Sequence, residues 1–186
     1  MKDKFKDILT KDEEIVEVYK PHKGRFFISP LRGFLITWLF IFLMYVILFF
    51  GLEAEENAFA QNGIYIVLYV LLGLLALSLI LTLVFTNVGY KKRFYAYTNK
   101  RIIVRSGVIG VDYKSLDIVQ IGAIEVRVDF LDKLFKSETG TIRFGSMANP
   151  IGGQQGVVPF SFHFVEKPYK IYRTIKEDMD SRNSVE

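Results

Sequence analysis

The sequence predicts a pair of membrane-spanning helices followed by a small antiparallel β-domain that a C-terminal helix closes. Two long apolar runs indicate the membrane helices. The hydrophobic spacing then changes from helical to strand-like after Tyr90, and an amphipathic stretch follows at the C-terminal end. With 186 residues, the chain has room for one membrane unit and one compact domain.

The two apolar runs, 34–52 and 64–88, contain no charged side chain. A helix of about 20 apolar residues spans the ~30 Å hydrocarbon core of a bilayer. The few polar residues within the runs do not ionise at neutral pH, whereas ion pathways and proton relays need charged or acidic groups at depth. We therefore predict an antiparallel transmembrane hairpin at 34–88, with an external loop at 53–63, and no transport pathway built by this chain alone.

The charges on either side of the two runs predict the orientation of the hairpin. Basic residues flank the hairpin, and acidic residues lie between the runs. By the positive-inside rule, both termini are cytoplasmic, in a two-pass protein of the cell membrane. The basic flanks are Lys20, Lys23, Arg25, Arg32, Lys91, Lys92 and Arg93, and the acidic residues between the runs are Glu53, Glu55 and Glu56.

The N-terminal segment, 1–33, allows two interpretations. Its first residues carry a weak helical stripe, which favours a short surface helix. A strand at 14–19 that joins the later domain is the other interpretation. The sequence leaves both alternatives open.

Short runs of aromatic and β-branched residues, separated by turns, predict a β-domain over 89–180. Ile124 and Val126 alternate with charged residues, as in a sheet with one wet face. Phe162 and Phe164 are expected to point inward in the last strand. The predicted strands are 94–98, 101–106, 111–116, a long strand at 117–129, 141–144 and 157–165, with a helical turn at 130–135.

The domain is expected to end in an amphipathic helix. Pro168 suits the first turn of a helix, and Tyr172, Ile175 and Met179 recur at helical spacing. We predict that the helix closes the domain and that the tail, 181–186, is frayed.

The segment FYAYTNKRIIVRSGVIGVDYKSLDIVQIGAIEVRVDFLDKLF closely resembles the bacterial pleckstrin-homology-like (PH-like) domain family. The opening EEIVEVYKPH, followed by two membrane helices, looks like the membrane-anchored form of that family. The resemblance implies an antiparallel bent sheet of about seven strands capped by a C-terminal helix. The residues that carry it are Thr98, Asn99, Arg101, Ser106, Gly107, Ile121, Val126, Leu131, Leu134 and Phe135.

The resemblance implies structural roles for its motif residues and no activity, since fold does not give function. Asn99, which tolerates positive φ, and Gly107 are expected to serve turns, and Arg101 is expected to pair on the sheet surface. In this superfold a phosphoinositide pocket is usually formed by a roomy loop between the first two strands. Here that loop is read as 98–100, which argues against specific headgroup capture.

The residues do not indicate an enzyme. The chain has no cysteine, and its two histidines, His22 and His163, lack carboxylates at ligand spacing. The glycine-rich stretch 152–156 is not followed by the lysine and helix of a phosphate cradle. The net charge of +4 is mild and lies beside the membrane runs. We expect no catalytic residue, cofactor, metal, nucleic acid or small-molecule substrate.

The expected function is binding. A PH-like domain on the inner face of the membrane is predicted to act as a protein-interaction or scaffold module, or to assemble with copies of itself. Sensing of anionic lipid or of a headgroup is the alternative, and an accessory role in a membrane transport or stress-response system is a second one. Candidate partner contacts are Met147, Ile151, Val157 and Val158, and candidate inner-leaflet contacts are Lys100, Arg101, Arg105 and Lys114.

Overall fold

The computed structural model describes residues 1–52, 58–134, 138–146 and 160–183. It divides the chain into two compact units. One unit, the β-domain, combines Met1–Arg25 with Gly89–Glu186, and the other, the helical unit, is Phe26–Val88. The N-terminal segment that the sequence set apart thus contributes most of its length to the β-domain.

The two apolar runs form long helices, α1 (Lys23–Leu52) and α2 (Ala58–Lys92). Within them, Lys23–Phe50 and Tyr65–Lys92 are long and apolar enough to cross a membrane. Residues of both helices, among them Trp38 and Leu72, line a small apolar cavity of about 60 Å³. Both helices are apolar around their circumference, as expected of helices that face lipid rather than water.

The β-domain consists of two antiparallel sheets and a C-terminal helix, which confirms the predicted fold class. The connection between the sheets is a 3-10 turn, Ile118–Gln120. The first sheet has the order β1 (Ile15–Tyr19), β2 (Phe94–Thr98), β3 (Arg101–Ser106), β4 (Asp112–Asp117). The second has the order β5 (Ile121–Arg127), β6 (Thr139–Ser146), β7 (Phe160–Glu166), with α3 (Phe130–Leu134) after β5 and α4 (Pro168–Asn183) after β7.

The first strand of the fold lies before the membrane helices. β1 pairs antiparallel with β2, so the chain between them, 20–93, includes both long helices. A 3-10 helix, Lys2–Ile8, precedes β1, so the N-terminal segment contains both of the elements that the sequence had left as alternatives. The loop 98–100 therefore joins the second and third strands. The shortness of 98–100 therefore does not exclude a headgroup site, because the segment between the first two strands is 20–93.

β2 is buried on both faces, which explains why its sequence lacks polar alternation. Tyr95 and Tyr97 point into the main core between the two sheets. Phe94 and Ala96 point the other way, into a second cluster that includes Phe5 of the N-terminal 3-10 helix. The N-terminal segment thus covers the outer face of the first sheet and belongs to the fold.

Two strand predictions are corrected. The long strand at 117–129 is divided by the 3-10 turn, which lets the chain leave the first sheet and enter the second. In β7, Phe162 is buried as predicted, but Phe164 has a φ of 55° and is only half-buried. This left-handed residue shifts the alternation, so that Val165 is buried in its place.

α4 closes the main core and continues beyond its predicted end. Ile171 and Ile175 are buried. The helix extends to Asn183 rather than fraying after Asp180. In its last turn, Arg182 donates to the Asp178 carboxylate at 2.8 Å and also to the carbonyl of Asn99. The Asp178 carboxylate in turn accepts the Tyr97 hydroxyl, so the end of α4 is fastened to the turn between β2 and β3.

Candidate membrane-facing surface

The last residue of α2 holds the turn between β3 and β4. The Lys92 ammonium donates to the carbonyl oxygens of Val108 at 2.6 Å, Ile109 at 3.2 Å and Gly110 at 3.3 Å. An ammonium group has three donors, so this one turn accounts for all of them. The β3–β4 turn, 107–111, is therefore fixed to the end of a candidate membrane span.

The β3–β4 turn is tight and presents apolar side chains. Gly107 has a φ of 132°, and a Cβ at this position would lie 2.5 Å from the Gly110 carbonyl oxygen. The predicted turn role of Gly107 is thus confirmed. At the tip of the turn the Ile109 side chain is 95% exposed, with Val108 and Val111 partly exposed beside it.

Basic side chains surround an aromatic ring at the same end of the β-domain. Lys4, Lys20 and Arg105 lie over the Phe94 ring, 5.4, 5.2 and 5.8 Å from its centroid. Lys20 also lies 4.3 Å from the centroid of the Tyr90 ring. Such cation–π contacts contribute about 0.5–1 kcal/mol each at exposed sites, and they hold the cations in place.

Arg105 connects this group of cations to α2. Its Nη1 donates to the Lys92 carbonyl at 3.3 Å, and its Nε donates to the Tyr113 hydroxyl at 3.2 Å. Lys4, Lys20, Lys92 and Arg105 therefore form one basic cluster where α2 ends. Lys4 was missed by sequence reasoning because its segment had no assigned fold, and Lys20 and Lys92 had been read only as flanking charges.

The structure does not bring the four predicted inner-leaflet residues together. Arg105 belongs to the basic cluster. Lys114 on β4 pairs with Val104, the neighbour of Arg105 on β3, so its side chain lies on the opposite face of the sheet from that of Arg105. Arg101 and Lys100 lie at the other end of β3, about 13 and about 16 Å from Arg105 at ~3.3 Å per residue. The four residues thus do not form a single patch, and the cations that the structure does bring together are those of the basic cluster. Contact of the four residues with lipid stays a prediction.

Arg101 instead pairs with a buried carboxylate of the N-terminal segment. Glu13 accepts hydrogen bonds from Arg101 Nε at 2.9 Å and Nη2 at 3.0 Å, and from the Thr98 hydroxyl at 2.9 Å. Burial by itself would raise the pKa of Glu13, but hydrogen bonds from Arg101, Thr10 and Thr98 outweigh it and lower the pKa to about 2. The carboxylate is therefore charged and fastens the N-terminal segment to β2 and β3.

Asn99 also attaches the N-terminal segment to the first sheet. Its side-chain oxygen accepts the Glu14 backbone N–H at 2.9 Å, and its amide donates to the Asp12 carbonyl at 3.1 Å. Among the residues that the structure describes, those other than glycine with positive φ are Asp12, Phe164 and Lys167. Asn99 is thus correctly read as a fold determinant, but its role is side-chain hydrogen bonding rather than tolerance of positive φ.

A second buried ion pair attaches the first turn of α1 to α3. Arg25 Nε lies 2.5 Å from one Asp132 carboxylate oxygen, and Arg25 Nη2 lies 3.0 Å from the other. The two side chains are 5% and 1% exposed. The guanidinium also lies over the Phe164 ring at 5.5 Å, and Asp132 accepts the Thr139 hydroxyl. Sequence reasoning read Arg25 only as a flanking charge, because its partner lies far along the chain.

A cleft of about 520 Å³ lies where β1, the end of α2 and the start of α4 meet. Lys20, His22, Tyr90 and Glu166 are among its lining residues. The Nδ1 of His22 accepts the Arg25 backbone N–H at 3.4 Å, so this nitrogen contributes to the start of α1. Within the described ranges, no group of three or more His, Asp or Glu side chains is placed to hold a metal ion.

The predicted partner contacts Met147, Ile151, Val157 and Val158 lie outside the described residues, so their role stays a prediction.

Two antiparallel sheets of four and three strands, followed by one helix, define a PH-like domain, here with two candidate membrane helices between its first two strands. The bacterial PH domain family matches residues 33–179, and the chain belongs to this family. The match begins after β1, which nevertheless completes the first sheet. Searches of curated proteins and of solved structures found no match.

Proposed function

We propose that the chain is a two-pass membrane protein that holds its PH-like domain at the cytoplasmic face and binds a partner protein along the edge of β4. The exposure of β4 carries this proposal. Five of its six residues, Asp112–Ser115 and Asp117, are exposed, and the strand has one neighbour, β3, in the described sheet.

Pairing between β1 and β2 supports the two-pass topology. β1 precedes α1 and β2 follows α2, yet the two strands lie side by side in one sheet. Residues 20 and 93 must therefore lie on the same side of any membrane that the helices cross, which requires an even number of crossings. The basic flanks favour the cytoplasmic side.

The β4 edge suits the addition of a strand from a partner. An edge strand presents backbone N–H and C=O groups that a further strand can pair with, and side chains on either side add specificity. Apolar residues stand at both ends of β4, with Val111 before it and Val119, 83% exposed, after it. A partner strand would cover these apolar groups while completing backbone hydrogen bonds.

Charge favours a different protein over a second copy of this chain. If two copies of β4 paired antiparallel in full overlap, Asp112 of one would face Asp117 of the other at both ends. Like charges directly opposite each other destabilise a strand pair. A partner strand with basic residues at these two positions would instead be attracted.

Photo-crosslinking in native membranes tests this function. Probes at Asp112 and at Ser115 are expected to crosslink the same protein at two positions about three residues apart, because paired strands keep register. Arg173, exposed on α4, is the control position and is expected to give no such product. Crosslinks only to the chain itself, or equal products from the control, would reject the β4 edge as the binding surface.

The basic cluster supports a second function, attraction to an anionic inner leaflet. Cations near such a leaflet gain about 1 kcal/mol each. Amide exchange of the full chain in nanodiscs tests it. Slower exchange around Lys4 and Arg105 is expected with anionic lipid and not with zwitterionic lipid, and identical exchange in both would contradict it.

A further inference from the structure

We propose that the β3–β4 turn inserts Val108 and Ile109 into the headgroup–acyl boundary of the membrane that α2 crosses. The PH-like domain would then be docked on the bilayer by its own apolar tip, in addition to its covalent tether. This inference rests on the proposed membrane span of α2, and it is independent of any partner at β4.

The depth of the turn follows from its contact with Lys92. Lys92 ends the candidate span Tyr65–Lys92, and a lysine at the end of a span lies at the headgroup level. Its ammonium touches the carbonyl oxygens of Val108, Ile109 and Gly110 at 2.6–3.3 Å. The turn is therefore held beside the residue that ends the span, at the headgroup level.

The same contact lowers the cost of insertion. Carbonyl groups that enter a bilayer without a hydrogen-bond donor are strongly destabilised, which normally keeps turns out of lipid. In this turn the carbonyls of 108–110 each accept from the Lys92 ammonium. The Lys92 ammonium thus supplies the hydrogen-bond donor that these carbonyl groups need at the headgroup–acyl boundary, where water is scarce.

The side chains of the turn match the interface. The stretch 107–111 reads GVIGV, without a charge, and Ile109 is 95% exposed in water. Fully burying a side chain of this kind gains about 1.5–3 kcal/mol. Lys4, Lys20 and Arg105 at the same end of the domain supply the cations that anionic headgroups attract. An apolar tip among cations is the pattern of interfacial membrane segments.

The absence of native cysteine permits a direct test with single labels. The full chain carrying Ile109→Cys, labelled with an environment-sensitive fluorophore, is reconstituted in nanodiscs of mixed zwitterionic and anionic lipid. Nitroxide groups placed high on the lipid acyl chains quench only fluorophores that reach the bilayer. The matched control is Val119→Cys, an exposed apolar residue beyond the far end of β4, a strand about 16 Å long.

Insertion predicts a blue shift and strong nitroxide quenching at 109, and little of either at 119. A blue shift at 109 without quenching would mean that protein covers the turn, and it would overturn the proposal. Absence of both would overturn it as well.

Two further variants separate this inference from the topology. A label at Leu77, in the middle of the α2 span, is expected to be quenched by nitroxides deep in the bilayer. No quenching at 77 would reject the membrane span itself, whereas quenching at 77 without quenching at 109 rejects only the insertion.

The second variant is Ile109→Asp with the label at Val111→Cys. Since the turn is held through its backbone, we expect an unchanged circular dichroism spectrum and loss of most quenching. Retained quenching in this variant would contradict insertion by the apolar tip.

Discussion

Glu13 has almost no contact with water, yet it carries a charge. Its side chain is 0% exposed and receives hydrogen bonds from Arg101, Thr98 and Thr10. A buried charge is tolerated when it is paired and hydrogen-bonded, and removing its partners leaves a large desolvation cost. This one carboxylate therefore contributes strongly to the attachment of the N-terminal segment, beside the Asn99 hydrogen bonds and the β1–β2 pairing.

Replacing Glu13 by Gln is expected to reduce the free energy of unfolding by about 2 kcal/mol at neutral pH, since hydrogen bonds to charged groups contribute ~1.5–3 kcal/mol. The pKa of Glu13 in the folded protein is about 2, below the ordinary value of 4.5. The carboxylate thus stabilises the fold fully above the ordinary value, and its contribution disappears as the pH falls towards the folded-state pKa.

The difference between wild type and Glu13→Gln should therefore shrink as the pH falls from about 4.5 towards 2. Thermal unfolding of the full chain in detergent, followed by the near-ultraviolet circular dichroism of the tyrosines, measures it. Glu14→Gln, at an exposed neighbouring position, is the control and should differ little from wild type. A difference that stays constant with pH would show that the charge of Glu13 does not stabilise the fold.

At this scale the sequence predicted the structural roles of Gly107, Asn99 and Arg101. Gly107 was predictable because a tight turn has a local signature. The partners of Asn99 and Arg101 were not, because Glu14 and Glu13 lie on the other side of two long helices in the chain. Local patterns carry no information on such distant pairs.

Among the elements, α1 is distinguished by how it begins. Its first turn contains Arg25, whose ion pair with Asp132 is closed off from water by the Phe164 ring and the surrounding chain. This ion pair joins α1 to the short helix α3, which lies between β5 and β6. The start of α1 is thereby part of the folded domain.

Arg25→Met is expected to lower the free energy of unfolding by about 3–5 kcal/mol, because it leaves the Asp132 charge buried without its cation. The double variant with Asp132→Asn should lose less than the sum of the two single losses, since both remove the same interaction. Chemical unfolding of the full chain in detergent measures this coupling.

The control for this pair is Arg127→Met, because Arg127 and Asp129 form an exposed pair at 3.8 Å. Its expected effect is below about 1 kcal/mol. Strictly additive losses for Arg25 and Asp132 would contradict a direct coupling between them.

Most elements were predictable because their residues repeat locally. β2, β3 and α4 follow from strand runs and helical spacing. The division of the long strand at 118–120 was missed because the 3-10 turn interrupts a run that remains apolar. The shift at Phe164 was missed because a single left-handed residue has no signature when it is not glycine or asparagine.

For the whole molecule, the sequence predicted the two units but not how the chain connects them. Apolar runs of sufficient length can be recognised as candidate membrane helices from the local sequence alone. A strand such as β1, only five residues long and separated from its partner by 20–93, has no local feature that assigns it to a distant sheet. The long-range pairing had to be observed.

Single cysteines test the proposed topology. In intact cells, a membrane-impermeant thiol reagent is expected to label Ala54→Cys, and to label Ser115→Cys only after the membrane is opened. Val16→Cys on β1 should behave like Ser115→Cys, because both lie in one sheet. Labelling of Ser115→Cys but not of Ala54→Cys in intact cells would reverse the orientation, and opposite results at Val16 and Ser115 would contradict the β1–β2 pairing.

The position of the helices between β1 and β2 also dictates an order of events during synthesis. β1 leaves the ribosome first and waits without a partner until 20–93 have been made. If only one helix enters the membrane, β1 and β2 emerge on opposite sides and cannot meet. Tyr95 and Tyr97 then lack a completed core to enter. In the proposed topology, completion of the domain thus excludes a molecule in which only one helix has entered the membrane, and such a molecule leaves the apolar residues of β2 uncovered.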